Sequence, residues 1–222
     1  MNLNSYYKDQ IRKYGGIDKY ILAKAKEKKA LLDRVRKYAK SKRVLEAGCG
    51  SAVNSIFLAN EGYSVFCIDN DYKMIKLAKT IAKDFKKSPY FKKENILKFN
   101  NKKFDVVFSH GVLEHFKDKE IVSIINKELS LGDYVIISIP SDFFKPNQAI
   151  EGNERFLSVK EWLKIISQTN GEVIETFSYF YDPDKLSVWL YKVLFKINFG
   201  IFPFKKPYIG FVLGRRKNVC NS

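Results

Sequence analysis

Short apolar runs that alternate with helical stretches are the feature that most constrains the fold of this 222-residue chain. The runs are too apolar to keep one face in water, and the segments between them carry a helical period. Buried strands joined by helices form a mostly parallel sheet with helices on both faces, so an α/β, Rossmann-like fold is expected. The predicted strands are RVLEAG (43–48), SVFCIDN (64–70), FDVVFS (104–109), DYVIISIP (133–140) and GEVIETFSYFY (171–181), and the predicted helices are 53–60, 72–85, 120–129 and 159–169.

Ligands of such sheets bind beyond the carboxyl ends of the strands, where the strand order reverses. We call this edge the rim; in this chain it comprises the segments 46–51, 69–71, 95–96, 109–115 and the residues from 141 onward. Both histidines of the chain, His110 and His115, lie in one of these segments. The rim is therefore the expected location of the functional site.

The turn after the first strand reads VLEAGCGS (44–51), an acidic residue followed by G-x-G. Glycines there let the backbone approach a ligand closely. A dinucleotide site needs a third glycine where this chain has Val53, and Glu46 would repel a pyrophosphate. A ligand that is cationic at sulfur and at an amino group suits this carboxylate better. Asp69 can accept from a ribose diol in either ligand, or it caps the following helix.

The segments VLEAGCG, VFCIDND, ENILKF, FDVVFSHGVLEH and GDYVIISIP, together with the tail YIGFVLGRRK (208–217), have a recognisable order and spacing. They resemble the class I S-adenosylmethionine-dependent methyltransferases, of the methyltransferase-11 or ubiquinone-type small-molecule kind. The resemblance covers about residues 40–180 and the tail. It implies a seven-stranded sheet in the order 3-2-1-4-5-7-6, S-adenosylmethionine as cofactor and S-adenosylhomocysteine as product.

The resemblance also implies which residues bind the cofactor. The methionine part is expected to contact Glu46, Gly48 and Gly50, and the methionine end to contact Ser109 and His110. The ribose is expected to contact Asp69 and Asn70, and the adenine to contact Asn95 and Ile96. Relatives usually have an acidic residue where this chain has Asn95. An amide oxygen can still accept from the adenine amino group, so we keep Asn95 as a predicted contact.

Methyl transfer from a sulfonium needs a base only when the attacking group must lose a proton. Histidine titrates near neutrality and suits this role. We expect His115, or failing that His110, to be the general base. The alternative is that Glu114 and His115, within the family-like sequence Val112-Leu113-Glu114-His115, only brace the loop.

A metal site is a further alternative in the same segment. Some quinone-pathway O-methyltransferases of this family have an E-x-x-E-H cluster, whereas this chain has Gly111 at the first acidic position. A metal would then need a carboxylate from Asp142, Glu151 or Glu154. We expect no metal.

Three segments are expected to shape the acceptor site. The first 40 residues show two helical patterns that Gly15-Gly16 separates, and Asp18 is placed to cap the second. This segment resembles a helical lid. Residues 41–222 are expected to form one domain, which the lid covers. The loop 141–157 follows the predicted strand 133–140 directly at the rim. The aromatic segment 182–207 is expected to be a helical insertion. The predicted substrate contacts are Tyr7, Tyr14, Phe143, Phe144 and Arg155.

The aromatic segment has several open interpretations. It could pack on the sheet, wall the acceptor pocket or form a dimer contact, and its part 186–204 could rest on a membrane surface. Lysines that interrupt it leave it too polar to span a bilayer. We expect a monomer or a homodimer.

The formal charge of +16 favours a nucleic-acid partner, but its distribution does not. Only seven of the 40 basic residues are arginine, and the lysines are scattered. An N-P-P-Y-like motif, typical of exocyclic-amine methylation, is absent after FDVVF.

Cysteines 49, 67 and 220 have no metal-site spacing and suggest reduced thiols of a cytoplasmic protein. The predicted function is methyl transfer to an O or N atom of a small molecule; the alternative is a nucleic-acid or protein methyltransferase.

Overall fold

The computed structural model describes residues 9–101, 103–144, 152–179 and 207–216. The strands are β1 (Arg43–Ala47), β2 (Ser64–Asp69), β3 (Tyr90–Lys93), β4 (Phe104–His110), β5 (Gly132–Pro140), β6 (Gly171–Tyr179) and β7 (Tyr208–Arg215). The helices of eight or more residues are α1 (Ile17–Glu27), α2 (Lys29–Tyr38), α3 (Val53–Asn60), α4 (Tyr72–Ala82), α5 (Asp118–Leu131) and α6 (Val159–Ile166). Tyr7, Glu151 and the segments 145–151 and 180–206 lie outside the described residues.

All seven strands form one sheet in the order β3-β2-β1-β4-β5-β7-β6. Strands β1 to β5 pair in parallel, and β7 runs antiparallel to both β5 and β6. This confirms the predicted fold class and strand order. The reversal of strand order between β1 and β4 lies at the G-x-G turn, where such folds bind their ligands.

The core has two layers, one on each face of the sheet. Helices α1 to α4 cover one face, and α5 and α6 cover the other. Leu31, Leu32 and Val35 of α2 are fully buried, and burial of each such side chain stabilises the fold by about 1.5–3 kcal/mol. Helix α2 therefore belongs to the core layer, and a covering role for residues 1–40 stays a prediction.

Several boundaries differ from the prediction for identifiable reasons. Strand β3 was not among the predicted runs, because YFKK is short and partly charged and lies at the sheet edge with little burial. The cap prediction for Asp18 was wrong: Gly16 is the N-cap of α1, without a side-chain hydrogen bond, and Asp18 lies in the first turn. The second helical pattern also breaks at Lys28 into α1 and α2.

Among the described residues, no helix is both long enough and apolar enough to cross a membrane.

Candidate active site

The G-x-G turn between β1 and α3 has the backbone that its glycines predict. Gly48 and Gly50 have φ angles of 68° and 52°, in the left-handed region that glycine adopts without a Cβ penalty. A Cβ on Gly48 would lie 2.6 Å from Cγ2 of Val112, in the segment after β4. A Cβ on Gly50 would meet nothing within 4 Å. The turn thus packs closely against the neighbouring loop at Gly48 and is open at Gly50.

Asp69, at the end of β2, holds the turn in place. Its Oδ2 accepts a hydrogen bond of 2.8 Å from the Gly50 N–H, and its Oδ1 accepts one of 2.9 Å from the Asp71 N–H. Asp71, and not Asp69, is the N-cap of α4. A carboxylate has about four lone pairs, so Asp69 keeps acceptor capacity for a ribose diol. Asn70 is exposed beside it.

Glu46 is buried beneath the turn, 2% exposed. Its Oε1 accepts from Asn54 Nδ2 at 2.8 Å and its Oε2 from Ser55 Oγ at 2.5 Å. Burial raises the pKa of Glu46, while these hydrogen bonds and the charge of Lys28 oppose the rise. Desolvation in turn lowers the pKa of Lys28 to about 8. Lys28, between α1 and α2, was missed because a lysine in a lysine-rich helical segment carries no sequence signal.

The predicted adenine contacts follow β3. Asn95 Oδ1 accepts a hydrogen bond of 2.9 Å from the Leu97 N–H, and the Asn95 N–H donates to Glu94 Oε1 at 3.2 Å. Glu94 also pairs with Lys92 at 3.2 Å. Ile96 is half-buried against the core. The amide oxygen of Asn95 thus shapes its own turn and has one lone pair left for a ligand.

Ser109 and His110 close β4. Ser109 is buried, whereas the His110 ring is half-buried and contacts residues from three strands. His110 Nδ1 lies 3.1 Å from Ser138 Oγ and 3.3 Å from Tyr179 Oη, and its ring lies 5.3 Å from that of Tyr208. Desolvation, aided by the charge of Lys28, lowers the pKa of His110 well below its usual value. His110 is therefore a neutral ring at neutral pH.

His115 is placed differently, on the loop after β4. It ends a 3-10 turn over Leu113–His115, and its Nδ1 lies 2.7 Å from Asn153 Oδ1, in the loop after β5. The two loops are also tied through Glu114, whose carbonyl oxygen accepts from the Arg155 N–H at 3.0 Å. The two histidines thus belong to separate groups of contacts.

The predicted substrate residues are not all brought together. Arg155 donates to the Phe116 carbonyl at 2.8 Å and pairs with Asp118 at 2.7 Å, which occupies its guanidinium within the protein. Tyr14 donates to Glu27 at 3.2 Å among the N-terminal helices.

Phe143 and Phe144 belong to the loop after β5, and Phe144 is linked to His110 through Tyr208. The Phe144 ring lies 5.8 Å from that of Tyr208, and Phe143 is half exposed. Phe144, Tyr208 and His110 therefore form a continuous aromatic wall at the rim. Tyr208 and Tyr179, paired across β7 and β6, were missed because their meeting depends on the register between the two strands.

Within the described part of the chain, no group of three or more His, Cys, Asp or Glu side chains could hold a metal ion. Asp142 and Glu154 therefore do not complete a site with Glu114 and His115 there.

Comparison with known proteins gives one family match. Residues 45–127 match the family model for a methyltransferase domain. No curated protein matches the sequence.

Several solved structures share the fold. The magnesium protoporphyrin IX methyltransferase ChlM from Synechocystis PCC 6803, with bound S-adenosylhomocysteine (SAH), aligns with a TM-score of 0.62 at 18% identity over 96% of each chain. CcbJ from Streptomyces caelestis aligns with 0.65 at 13% identity over 87% of this chain and 90% of its own. The methyltransferase domain of bacterial CtHen1-C aligns with 0.63 at 14% identity, over 85% and 96%.

Proposed function

We propose that this chain, which carries a class I S-adenosylmethionine-dependent methyltransferase domain, methylates an oxygen or nitrogen atom of a small-molecule acceptor. The observation that carries the proposal is the arrangement at the strand-order reversal. There a left-handed G-x-G turn, open at Gly50, is held by Asp69 above the buried carboxylate of Glu46. An acidic turn of this kind suits a ligand with a positive sulfur and amino group and disfavours a pyrophosphate.

S-adenosylmethionine, when bound, supplies a methyl group that is already activated by a positively charged sulfur. The protein then has to hold the two reactants in line, exclude water and take up the acceptor's proton. We assign the ribose to Asp69 with Asn70, the methionine part to Glu46, Gly48, Gly50 and Ser109, and the adenine to Asn95 with Ile96.

We propose His115 as the general base. An amide carbonyl can only accept a hydrogen bond, so the contact of 2.7 Å with Asn153 Oδ1 places the proton of the neutral ring on Nδ1. The lone pair then lies on Nε2, which can accept the acceptor's proton as the new bond to carbon forms. Asn153 thus gives His115 the tautomer that a base needs.

The test is release of S-adenosylhomocysteine from S-adenosylmethionine across a library of hydroxyl and amine acceptors. With the best acceptor, His115→Gln should lower kcat about a hundredfold, because a positioned base typically contributes that much or more. Asn153→Ala should lower kcat less, since Nε2 stays in place but loses its fixed tautomer. Turnover of His115→Gln close to that of the wild type would leave positioning as the whole mechanism, and a library without any turnover would count against a small-molecule acceptor.

The second candidate acceptor is a nucleic acid or a protein, and the net charge of +16 is what favours it. Binding of a random RNA or DNA that falls steeply with salt would support this candidate, because phosphate contacts release counterions. Binding that stays weak at low salt would remove it.

We also propose a cytoplasmic location and a monomer or homodimer. Cys49 and Cys67 are buried free thiols, which fits a reducing compartment. The proposed membrane-surface contact through 186–204 lies outside the described residues.

A further inference from the structure

Three polar side chains meet where β4, β5 and β6 end. Ser138 is paired in register with His110 on one side and with Gly210 on the other. Its Oγ lies 2.6 Å from Tyr179 Oη and 3.1 Å from His110 Nδ1, while Tyr179 Oη lies 3.3 Å from the same nitrogen. Ser138 is 1% exposed and Tyr179 is 7% exposed, so these hydrogen bonds are shielded from water.

The basicity of the three atoms decides where the protons lie. An imidazole nitrogen is a far better proton acceptor than an alcohol or phenol oxygen, and a phenol is a better donor than an alcohol. The favoured chain therefore runs from the Tyr179 O–H to Ser138 Oγ, and from the Ser138 O–H to Nδ1 of His110. A neutral ring that accepts at Nδ1 carries its proton on Nε2.

The other ring nitrogen faces a different environment. None of the described residues forms a hydrogen bond with His110 Nε2. The ring lies against Tyr208, whose own ring stacks on Tyr179 at 5.5 Å and contacts Phe144. His110, Tyr208 and Phe144 thus form the aromatic wall, and its N–H donor is Nε2 of His110.

We propose that Ser138 and Tyr179 are positioning residues that fix His110 as the Nε2–H tautomer, so that it donates a hydrogen bond to an oxygen of the acceptor and does not act as a base. The part that concerns the acceptor rests on the proposed function. The acceptor would then carry a carbonyl, carboxylate or ether oxygen next to a flat or apolar group that lies on the Tyr208 wall. The pKa of His110, lowered by burial, fits this role, because an imidazolium would not accept at Nδ1.

Nitrogen-15 NMR of the ligand-free protein tests the tautomer without any acceptor. The chain has only two histidines, so two-bond correlation spectra contain two ring patterns, which His115→Gln assigns. At neutral pH we expect His110 to show the Nε2–H pattern. A dominant Nδ1–H pattern or an imidazolium for His110 would overturn the inference, and this result needs no variant of His110, Ser138 or Tyr179.

Two variants test the positioning residues. Ser138→Ala and Tyr179→Phe should each convert the single His110 pattern into a mixture of tautomers. Tyr38→Phe is the matched control, because it removes a tyrosine hydroxyl that bonds to Glu175 outside this group. If Ser138→Ala and Tyr179→Phe both leave the His110 pattern unchanged in folded protein, these residues do not set the tautomer.

The donor role is tested with the acceptor that the product-release assay identifies. A glutamine amide reaches the position of Nε2 and an asparagine amide that of Nδ1. His110→Gln should therefore keep KM for the acceptor near wild type, whereas His110→Asn should raise it about tenfold, the loss of one hydrogen bond. Equal KM values for the two would contradict a donor at Nε2. The Nε2–H tautomer without any turnover would count against the proposed function alone.

Discussion

Gly48 shows how one residue can couple two loops of the rim. Its left-handed backbone and its contact with Val112 both exclude a side chain, whereas Gly50 shares only the backbone requirement. The G-x-G turn and the loop that carries His115 therefore meet at a point with no spare volume.

We predict that Gly48→Ala lowers the free energy of unfolding by about 3 kcal/mol, the sum of backbone strain and overlap with Val112. Gly50→Ala, the matched control, should cost about 1 kcal/mol because only strain applies. Urea denaturation measures both. In the background of Val112→Ala, which removes the overlapping methyl groups, the cost of Gly48→Ala should fall to that of Gly50→Ala; equal costs in the wild-type background would show that the contact is unimportant.

Glu128 gives a second prediction at this scale. It is 1% exposed within α5, and neither carboxylate oxygen has a hydrogen-bond partner among the described residues. Desolvation raises the pKa of Glu128 from 4.5 to about 8. Between these pH values the folded protein holds a proton that the unfolded chain has released, so this residue makes the protein less stable as pH rises.

We therefore predict that Glu128→Gln stabilises the protein by about 2–4 kcal/mol at pH 8 and by less than about 1 kcal/mol at pH 5. Chemical denaturation at the two pH values measures the difference. Glu172→Gln, at an exposed position of β6, is the control. A benefit of Glu128→Gln that does not grow with pH would contradict the assignment of a buried, largely protonated carboxyl.

At the scale of elements, the loops after β4 and β5 behave as one unit. The Arg155 side chain bonds to the Phe116 carbonyl and to Asp118, and its backbone bonds to Glu114, next to His115. The sequence predicted Arg155 as a substrate contact, and that role stays a prediction. Its observed partners favour a role in holding the loop of the proposed base.

We predict that Arg155→Ala lowers kcat about tenfold and changes the affinity for S-adenosylmethionine less than twofold, because it loosens the loop and not the cofactor turn. Arg155→Lys should recover the ion pair with Asp118 only in part, since lysine lacks the planar fork. Steady-state kinetics and calorimetry separate the two effects. A rise in acceptor KM at unchanged kcat would instead identify Arg155 as a direct acceptor contact.

The sequence predicted most elements of the sheet but not every contact that the structure shows at the rim, for physical reasons. Long buried strands such as β4 and β5 are marked by apolar runs, but β3 is short and exposed at the edge, so it lacked that signal. The G-x-G turn and Asp69 were predictable because they lie at the carboxyl ends of β1 and β2, and neighbouring parallel strands end at the same edge of a sheet. The meeting of Ser138 with Tyr179 was not, because it depends on the register of β7 against β5 and β6, which the strand order does not fix.

For the whole molecule, strand order is what makes the site. The reversal at β1 and β4 brings the G-x-G turn beside Val112, and the antiparallel insertion of β7 brings Tyr208 and Tyr179 beside His110. The part of the rim that we assign to the cofactor is thus built by β1 and β2, by the segment after β3 and by Ser109 of β4, and the aromatic part by β4 to β7. The central claim is that S-adenosylmethionine binds at the first of these two parts.

Calorimetric titration with S-adenosylmethionine tests this claim most directly. We predict saturable binding by the wild type and a loss of about tenfold to a hundredfold in Asp69→Ala, which removes charge-assisted acceptors from the ribose. Asp71→Ala should bind as the wild type does, although loss of the α4 cap costs about 1 kcal/mol of stability. No binding by the folded wild type, or equal affinity in Asp69→Ala, would contradict the account.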